Sequence, residues 1–329
     1  MIDWIEVILL YYFKMYNIIG GALMGLFDKI KEPIFLKDHS NAKEQLAQLE
    51  AFQTNDEAIK KWIQKDIMLL KYGIAGEEKI AFELKNSHMP MYVLQDLCLE
   101  HNGLTAQLDY VIVTRGRTFI LECKNLYGNI EINNAGDFIR TVKYGSRYEK
   151  EGIYSPITQN KRHIELLKAI MRDQPLNILQ KAIFDKAFSE LYCPVVVMAN
   201  PQTVVNMKYA KKEIKEQVIR ADQLIAYMKN ANANALISSE KEMQEWAENL
   251  LSLHKEHSVD YTAKYKKLLA EKTVHGQDGE VKIQNEQVLL CPKCGAKMVK
   301  RKATKGSFEG KEFWGCSNYP NCKSIINIQ

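Results

Sequence analysis

The sequence predicts a mixed α/β domain followed by a small metal-stabilised module. Strand-like runs rich in Val, Ile, Tyr and Phe alternate with segments of helical periodicity, which is typical of an α/β fold. Four of the seven cysteines cluster near the C-terminus. With 329 residues and 46% hydrophobic composition, the chain is long enough for two domains and a sizeable core.

A tight turn at Arg115 and Gly116 joins the clearest pair of predicted strands, residues 108–113 and 118–123. Both runs contain β-branched and aromatic residues, and we expect the glycine to supply the positive φ of a two-residue hairpin turn. Because the runs are apolar on both faces, the sequence predicts strands that are covered on both sides.

Three charged side chains interrupt these strands and are predicted to converge. If Val113 pairs with Thr118, the same register places Asp109 opposite Glu122. Side chains alternate along a strand, so Lys124 shares a face with Glu122.

Two opposed carboxylates destabilise a sheet unless a cation lies between them. Hard ions such as Mg²⁺ bind one or two carboxylates together with water and phosphate oxygens. Asp109 and Glu122 are therefore predicted ligands of Mg²⁺ or Mn²⁺, which leaves Lys124 for a phosphate or the attacking water. The alternative is a surface hairpin with a solvated polar face.

Two helical segments carry further candidates. Glu77 lies on an apolar stripe with Ile80 and Leu84, so we assign Glu77 to the site and Glu78 to solvent. The alternative for Glu77 is a helix-start residue that the macrodipole favours.

The second helix begins near Ser155, which can cap it, and Pro156, which can open it. Gln159 and His163 lie one turn apart on it, and both could face the site. We favour an ordinary half-buried role for His163.

These pieces together resemble the nuclease-related domain family of the PD-(D/E)XK nuclease superfamily. The matching stretches lie between residues 72 and 200 and read GIAGEEKIAFEL, QLDYVIV, FILECKNLYGNI and SPITQNKRHIELL. The resemblance implies a restriction-endonuclease-like central sheet flanked by helices, a metal-dependent phosphodiesterase activity and a catalytic set that includes Gln159 beside the metal.

The C-terminal cysteines have the spacing of a zinc ribbon. Cys291 and Cys294 form CxxC, and Cys316 and Cys322 form a second pair. Four thiolates make a closed tetrahedral Zn²⁺ site, which is structural because no position stays open for water. The pattern CPxCG followed by FWGCSNYPNC resembles the zinc finger of type IA topoisomerases.

Positive charge is concentrated in this module. Residues 291–329 contain eight Lys and Arg against two Glu, whereas the whole chain has a net charge of only +5. Basic and aromatic residues together favour single-stranded nucleic acid, through phosphate attraction and base stacking. The predicted contacts are Lys300, Arg301, Lys302, Lys305, Phe313, Trp314 and Tyr319. Alternatively, the aromatic rings form the core of the ribbon and the lysines only keep it soluble.

The domain organisation follows from these two anchors. We predict an apolar extension at 1–23, a helical segment at 24–71, the nuclease-related domain at 72–253, a linker at 254–288 and the zinc ribbon at 289–329. Asp3, Glu6 and Lys14 interrupt the apolar residues, and the longest uncharged run, Met15 to Phe27, is shorter than the roughly 20 residues of a membrane-spanning helix. It is either the result of an upstream start or a weak membrane tether.

The sequence therefore predicts a cytoplasmic Mg²⁺- or Mn²⁺-dependent nuclease that acts in DNA processing or repair. Its expected partner is DNA that is single-stranded or contains ends or junctions, and no membrane partner is expected. A non-catalytic nucleic-acid-binding adaptor, an RNA nuclease and a homo-oligomer stay open as alternatives.

Overall fold

The computed structural model describes residues 30–173, 177–233, 235, 238–256, 259–275, 298–302, 312–316 and 325–327. The chain divides into two compact units, Met1–Tyr265 and Lys266–Gln329. Each unit is described by itself below.

Ten strands of the first unit form two sheets. In chain order the strands are β1 (Pro33–Lys37), β2 (Met91–His101), β3 (Leu104–Val113), β4 (Thr118–Lys124), β5 (Asn129–Ile132), β6 (Phe138–Tyr144), β7 (Arg147–Ile153), β8 (Tyr192–Met198), β9 (Val205–Asn206) and β10 (Val218–Arg220). The larger sheet has the order β1-β2-β3-β4-β8-β10, and the smaller one β7-β6-β5-β9.

The larger sheet is mixed. Its β2–β3 and β3–β4 pairs are antiparallel, whereas β1–β2, β4–β8 and β8–β10 are parallel. The helices are α1 (Ala42–Ala51), α2 (Glu57–Lys85), α3 (Pro156–Met171), α4 (Ile178–Leu191), α5 (Lys212–Lys215), α6 (Leu224–Asn232), α7 (Glu240–Ser252) and α8 (Ala263–His275). A central mixed sheet flanked by helices confirms the predicted α/β class.

Helices cover both faces of this sheet, because successive strand residues point in opposite directions. Val111 and Val113 of β3 pack in a cluster with side chains of α3, α4 and α7. Tyr110 and Ile112 pack in a second cluster with α2 and α6. The prediction of strands covered on both sides is therefore confirmed.

The β3–β4 hairpin has the predicted register, with Val113 paired to Thr118. The reason given for Gly116 is wrong, because Gly116 is not among the residues with positive φ. A Cβ on Gly116 would lie 2.6 Å from the Cβ of Ala235 and 2.7 Å from Oδ1 of Asn232. The turn needs glycine for space against the chain that follows α6.

The segment predicted as helical, 24–71, also contains strand β1, which pairs in parallel with β2. A single short edge strand has too few residues for a clear period-2 pattern. The helix that begins in this segment, α2, continues past residue 71 to Lys85, so the predicted boundary at 71 falls inside a helix. In the predicted linker, α8 occupies residues 263–275.

The described part of the second unit includes a three-stranded antiparallel sheet of β11 (Met298–Lys302), β12 (Glu312–Cys316) and β13 (Ile325–Asn327). The predicted extension, residues 1–23, lies outside the described residues, as do Cys291, Cys294 and Cys322. Of the helices in the described ranges, none has the length and apolar character to cross a membrane.

Candidate functional site

The β3–β4 hairpin opens where its charged residues begin. The ladder ends at the pair Tyr110–Leu121. If it continued, the N–H of Cys123 would bond to the next strand residue on β3, Leu108. Instead it donates to Oδ2 of Asp109 at 2.6 Å. Asp109 is therefore not a regular ladder partner of Glu122, and its carboxylate reaches along β4 toward Cys123.

Glu122 lies at the centre of the site and is 1% exposed. Its Oε1 is 2.7 Å from Nζ of Lys124, as expected for side chains two residues apart on one face. Its Oε2 is 3.5 Å from Nδ1 of His163. Within the described residues, this buried Oε2 has no hydrogen-bond partner.

Helix α3 supplies the next polar groups. Ser155 caps the helix by accepting from the N–H of Thr158, and Pro156 occupies its first turn. Gln159 then accepts from Lys124 Nζ through Oε1 at 3.1 Å. The structure thus joins Glu122, Lys124 and Gln159 in one chain of polar contacts.

Asn160 holds α3 against the sheet. This side chain is 1% exposed, and its Nδ2 donates to the carbonyl oxygens of Ile120 on β4 at 2.9 Å and Val195 on β8 at 3.2 Å. A buried amide that bridges two strands fixes the helix relative to both of them. Gln159 is therefore positioned next to the end of β4.

Helix α2 approaches β4 closely at Gly76, where a Cβ would lie 2.6 Å from the Cβ of Asn125 and 3.2 Å from Sγ of Cys123. The next residue, Glu77, receives a hydrogen bond from Tyr110 Oη on its carbonyl oxygen at 2.8 Å. Its side-chain Oε2 accepts from Gln95 Nε2 at 3.0 Å. Glu78 is exposed and paired with Lys43, as predicted.

Burial shapes the electrostatics of this site. The pKa of Asp109 is raised well above its usual value, first by burial and then by the negative charge of Glu122. Burial also raises the pKa of Glu122, against the opposing effect of Lys124, and raises the pKa of Glu77. Burial and the Lys124 ammonium lower the pKa of His163 to about 4, so this imidazole is neutral at pH 7.

The residues present fit a hard divalent cation. Among the residues that the structure describes, no three His, Cys, Asp or Glu side chains form a ready-made metal cluster. Mg²⁺, however, needs only one or two carboxylates, because water and substrate oxygens complete its shell. The unpartnered Oε2 of Glu122 and the carboxylate of Asp109 are donors of this type.

His163, for which the sequence favours an ordinary half-buried role, faces the site as its spacing one turn after Gln159 allows, with Nδ1 3.5 Å from Oε2 of Glu122. One contact is not predicted by the sequence. Gln95, which contacts Glu77, lies in the apolar strand β2 and gives no comparable signal.

The candidate contacts of the second unit lie on both faces of its sheet. Lys300 pairs with Trp314, and Arg301 pairs with Phe313. Directly opposed residues share a face and neighbouring pairs alternate, so the two pairs point to opposite faces. Lys300 also forms an ion pair with Glu312 at 2.6 Å. Lys305 and Tyr319 lie outside the described residues.

The mixed sheet and the polar site at the end of β4 define the first unit as a nuclease-like α/β domain. Comparison of the chain with protein families agrees, because the model of the nuclease-related domain matches residues 72–199. The model described as topoisomerase DNA binding C4 zinc finger matches residues 288–329. The two predicted resemblances are confirmed.

A curated relative supports the second match. The chain is 50% identical over 38 residues to DNA topoisomerase 1 of Methanocaldococcus jannaschii, in an alignment that covers 12% of this chain and 4% of that protein. The chain thus spans only a small part of this relative. No solved structure matches the chain.

Proposed function

We propose that this protein is a divalent-metal-dependent nuclease that hydrolyses phosphodiester bonds in DNA. One observation carries the proposal: the buried carboxylate of Glu122 has one oxygen, Oε1, paired with Lys124 and the other, Oε2, without a hydrogen-bond partner, and its charge acts on the nearby carboxylate of Asp109. A buried polar atom without a partner costs about 1–3 kcal/mol. Such an arrangement is typical of a site that is completed by a cation and substrate.

The chain's own residues would have separate roles. Asp109 and Glu122 would hold Mg²⁺ or Mn²⁺, which when bound lowers the pKa of water and offsets charge on the phosphate. Lys124 would stabilise the phosphate or orient the attacking water, and Gln159, which contacts Lys124, would position it. Glu77 would orient the carboxylate shell.

The zinc ribbon would bind the nucleic acid. Cys291, Cys294, Cys316 and Cys322 would hold a structural Zn²⁺, and the basic and aromatic side chains of this module would contact single-stranded DNA. Support comes from the match to a DNA-binding C4 zinc finger. A role in DNA processing or repair would follow from the combination of a cutting domain and a single-strand-binding module.

The direct test is incubation of the protein with labelled single-stranded, nicked and linear duplex DNA and with RNA, each with and without Mg²⁺ or Mn²⁺. We expect metal-dependent cleavage of DNA. Preferential cleavage of RNA would identify the substrate as RNA. Binding without cleavage of any substrate would contradict the proposal and indicate a nucleic-acid-binding adaptor.

A truncation tests the ribbon. Removing the chain from Cys291 onward should weaken binding of single-stranded DNA, because contacts between lysines and phosphates are lost. Each lost phosphate contact should also make the slope of log affinity against log salt less steep by roughly 0.7. Cleavage itself should survive, because the proposed catalytic residues all precede this segment. Affinities of both forms at several salt concentrations give the slopes, and equal slopes would show that the lysines do not contact phosphates.

A further inference from the structure

A cavity of about 460 Å³ lies beside the candidate site, between helix α2 and strands β1 and β2. Its volume falls in the range of small-molecule pockets. Its lining includes Glu77 and Gln95, which hydrogen-bond to each other, so the cavity shares a wall with the site. The carbonyl oxygen of Glu77 also accepts a hydrogen bond at 2.8 Å from Tyr110, the neighbour of Asp109 on β3.

Two aromatic side chains line this cavity. Phe35 comes from β1, and Phe82 comes from α2 and is 57% exposed, a large apolar area to leave in water. A lysine ammonium lies near each ring: Lys85 Nζ is 5.1 Å from the ring centroid of Phe35, and Lys79 Nζ is 4.9 Å from that of Phe82. Cation–π contacts of this length favour fixed ring orientations.

The polar side chains of the lining can form hydrogen bonds with a nucleobase. Glu77 and Gln95 can accept from and donate to the edge of a planar heterocycle, as acidic and amide side chains do with bases. The lining also contains Lys85 and the ion pair of Lys43 with Glu78, together with the carboxylate of Asp38. An aromatic wall on which a base can stack and a hydrogen-bonding end that can meet its edge are two features that recognise one base of a single strand.

We infer that this cavity binds one unstacked nucleobase of the nucleic-acid substrate, next to the phosphodiester that the candidate site would cleave. The inference rests on the proposed function for the identity of the polymer. The base stacks on Phe82, and its edge meets Glu77 and Gln95. Because a paired base is held in its helix, the cavity favours single-stranded or frayed substrate over intact duplex.

The test measures binding by the full-length protein without added Mg²⁺ or Mn²⁺, so that cleavage does not consume the probe. The probes are a labelled single-stranded oligonucleotide and a set of strands in which one base at a time is replaced by an abasic residue. Phe82→Ala should weaken binding of the intact strand about ten-fold, the loss expected for one stacked base. An abasic residue at one position should weaken wild-type binding similarly.

The decisive measurement is the affinity of the Phe82→Ala variant for the abasic strand. If Phe82 stacks on that base, the Phe82→Ala variant should bind the abasic strand no more weakly than it binds the intact strand. Either change alone already removes the stacking contact, so the second change has nothing further to remove. Phe82→Leu, which keeps an apolar side chain in place of the ring, should behave like Phe82→Ala. Full additivity of the two losses, or no loss at all, would overturn the inference.

Trp62→Ala is the matched control. Trp62 is a partly exposed aromatic residue on the same helix, and twenty residues along a helix correspond to roughly 30 Å. Its replacement should leave the affinity unchanged, and an equal loss would mean that the effect is not local. Thermal melting of each variant verifies the fold.

Failure of the inference is distinguishable from failure of the proposed function. If the protein cleaves DNA and Phe82→Ala binds the strand as tightly as the wild type, the base-binding cavity is contradicted and the proposed nuclease activity is supported. If binding depends on Phe82 and on the base but no DNA is cleaved, the base-binding cavity is supported and the proposed nuclease activity is contradicted. If the wild-type protein binds neither the intact nor the abasic oligonucleotide and cleaves no DNA, both the base-binding cavity and the proposed nuclease activity are contradicted.

Discussion

Two polar clusters that each contain a buried charged residue lie against the same six-stranded sheet, and they differ in how well the polar atoms of the buried residues are satisfied. In the site cluster, formed by Asp109, Glu122, Lys124 and Gln159, the buried Oε2 of Glu122 has no hydrogen-bond partner among the described residues. The β2 cluster consists of Lys37, Asp96 and Gln107, and it is closed by hydrogen bonds within the chain.

The contacts of the β2 cluster account for both of its charges. Lys37 Nζ donates to the carbonyl oxygens of His39 at 2.9 Å and Gln95 at 3.0 Å. The two oxygens of Asp96 accept from the backbone N–H of Asn41 and from Nε2 of Gln107. The negative charge of Asp96 also opposes the lowering of the Lys37 pKa by burial.

The difference is the one expected between a structural cluster and a cluster that would bind the proposed metal ion. A satisfied buried network rigidifies a fold, whereas a partly satisfied one costs stability. The backbone of Asp96 has a positive φ of 57°, which is strained for a residue other than glycine and is held in place by its hydrogen bonds. The site cluster instead keeps an oxygen available, as a metal ligand must.

The largest expected effect is on cleavage. Asp109→Ala and Glu122→Gln should each reduce metal-dependent cleavage roughly a thousand-fold, because a lost metal ligand removes several kcal/mol of transition-state stabilisation. Binding of DNA should stay close to wild type. Rates with Mg²⁺ and with Mn²⁺, compared with affinities measured without metal, separate the two effects.

Asp96→Asn is the matched control from the β2 cluster. Asparagine tolerates a positive φ and has nearly the same shape as aspartate, so the fold should be kept. Cleavage should stay near wild type at a temperature where the variant is folded. If Asp96→Asn lost as much activity as Asp109→Ala, the two clusters would not have separate roles.

The second effect is on stability, and its sign should differ between the clusters. The folded-state pKa of Asp109 is raised, so ionisation of this carboxyl costs stability once the pH rises above its usual pKa of 3.8. Asp109→Asn is neutral at every pH and should therefore raise the free energy of unfolding at pH 7 without metal. Asp96→Asn should lower it by about 1–3 kcal/mol, because a buried acceptor becomes a donor facing another donor.

Added metal sharpens this comparison. Mg²⁺ at a hundred times its Kd should stabilise the wild-type protein by about 2.7 kcal/mol and Asp96→Asn by the same amount. Asp109→Asn should gain much less. Urea unfolding with and without Mg²⁺ measures all three proteins, and equal gains would place the metal somewhere other than Asp109.

The parts of this structure that could be predicted are the ones that short stretches of sequence encode. The register of the β3–β4 hairpin and the capped start of α3 at Ser155 follow from local patterns, and both are confirmed. What could not be predicted depends on contacts between distant segments. Gly76 is needed because Asn125 lies against it, and β1 joins the sheet only because β2 offers an edge.

The opening of the hairpin at Asp109 shows the same limit inside the candidate site. A regular register places Asp109 directly opposite Glu122, but the side chain of Asp109 takes the N–H of Cys123 and ends the ladder. No periodicity in the sequence encodes such a replacement of a backbone acceptor by a carboxylate. The sequence therefore predicts the candidate residues and the contact of Glu122 with Lys124, but not the position of Asp109 relative to Glu122.

The smallest expected effect concerns pH and the β2 cluster. His254 accepts the N–H of Cys98 through Nδ1 at 3.1 Å, and its pKa is lowered from 6.5 by burial and then by Lys37, against the charges of Asp96 and Glu256. The folded protein therefore keeps this imidazole neutral at pH values where the unfolded chain binds a proton. The stabilising contribution is complete above pH 6.5 and decreases as the pH falls below it.

Replacement of this imidazole tests the sign. As the pH falls from 6.5 to 5, the free energy of unfolding should decrease less in His254→Asn than in the wild type. The difference between the two slopes should be less than about 1.4 kcal/mol per pH unit, which is the limit for one proton. Urea unfolding at several pH values gives both slopes. A His254→Asn slope equal to that of the wild type would show that the folded chain does not hold His254 neutral, because a histidine with an unshifted pKa contributes nothing to the pH dependence.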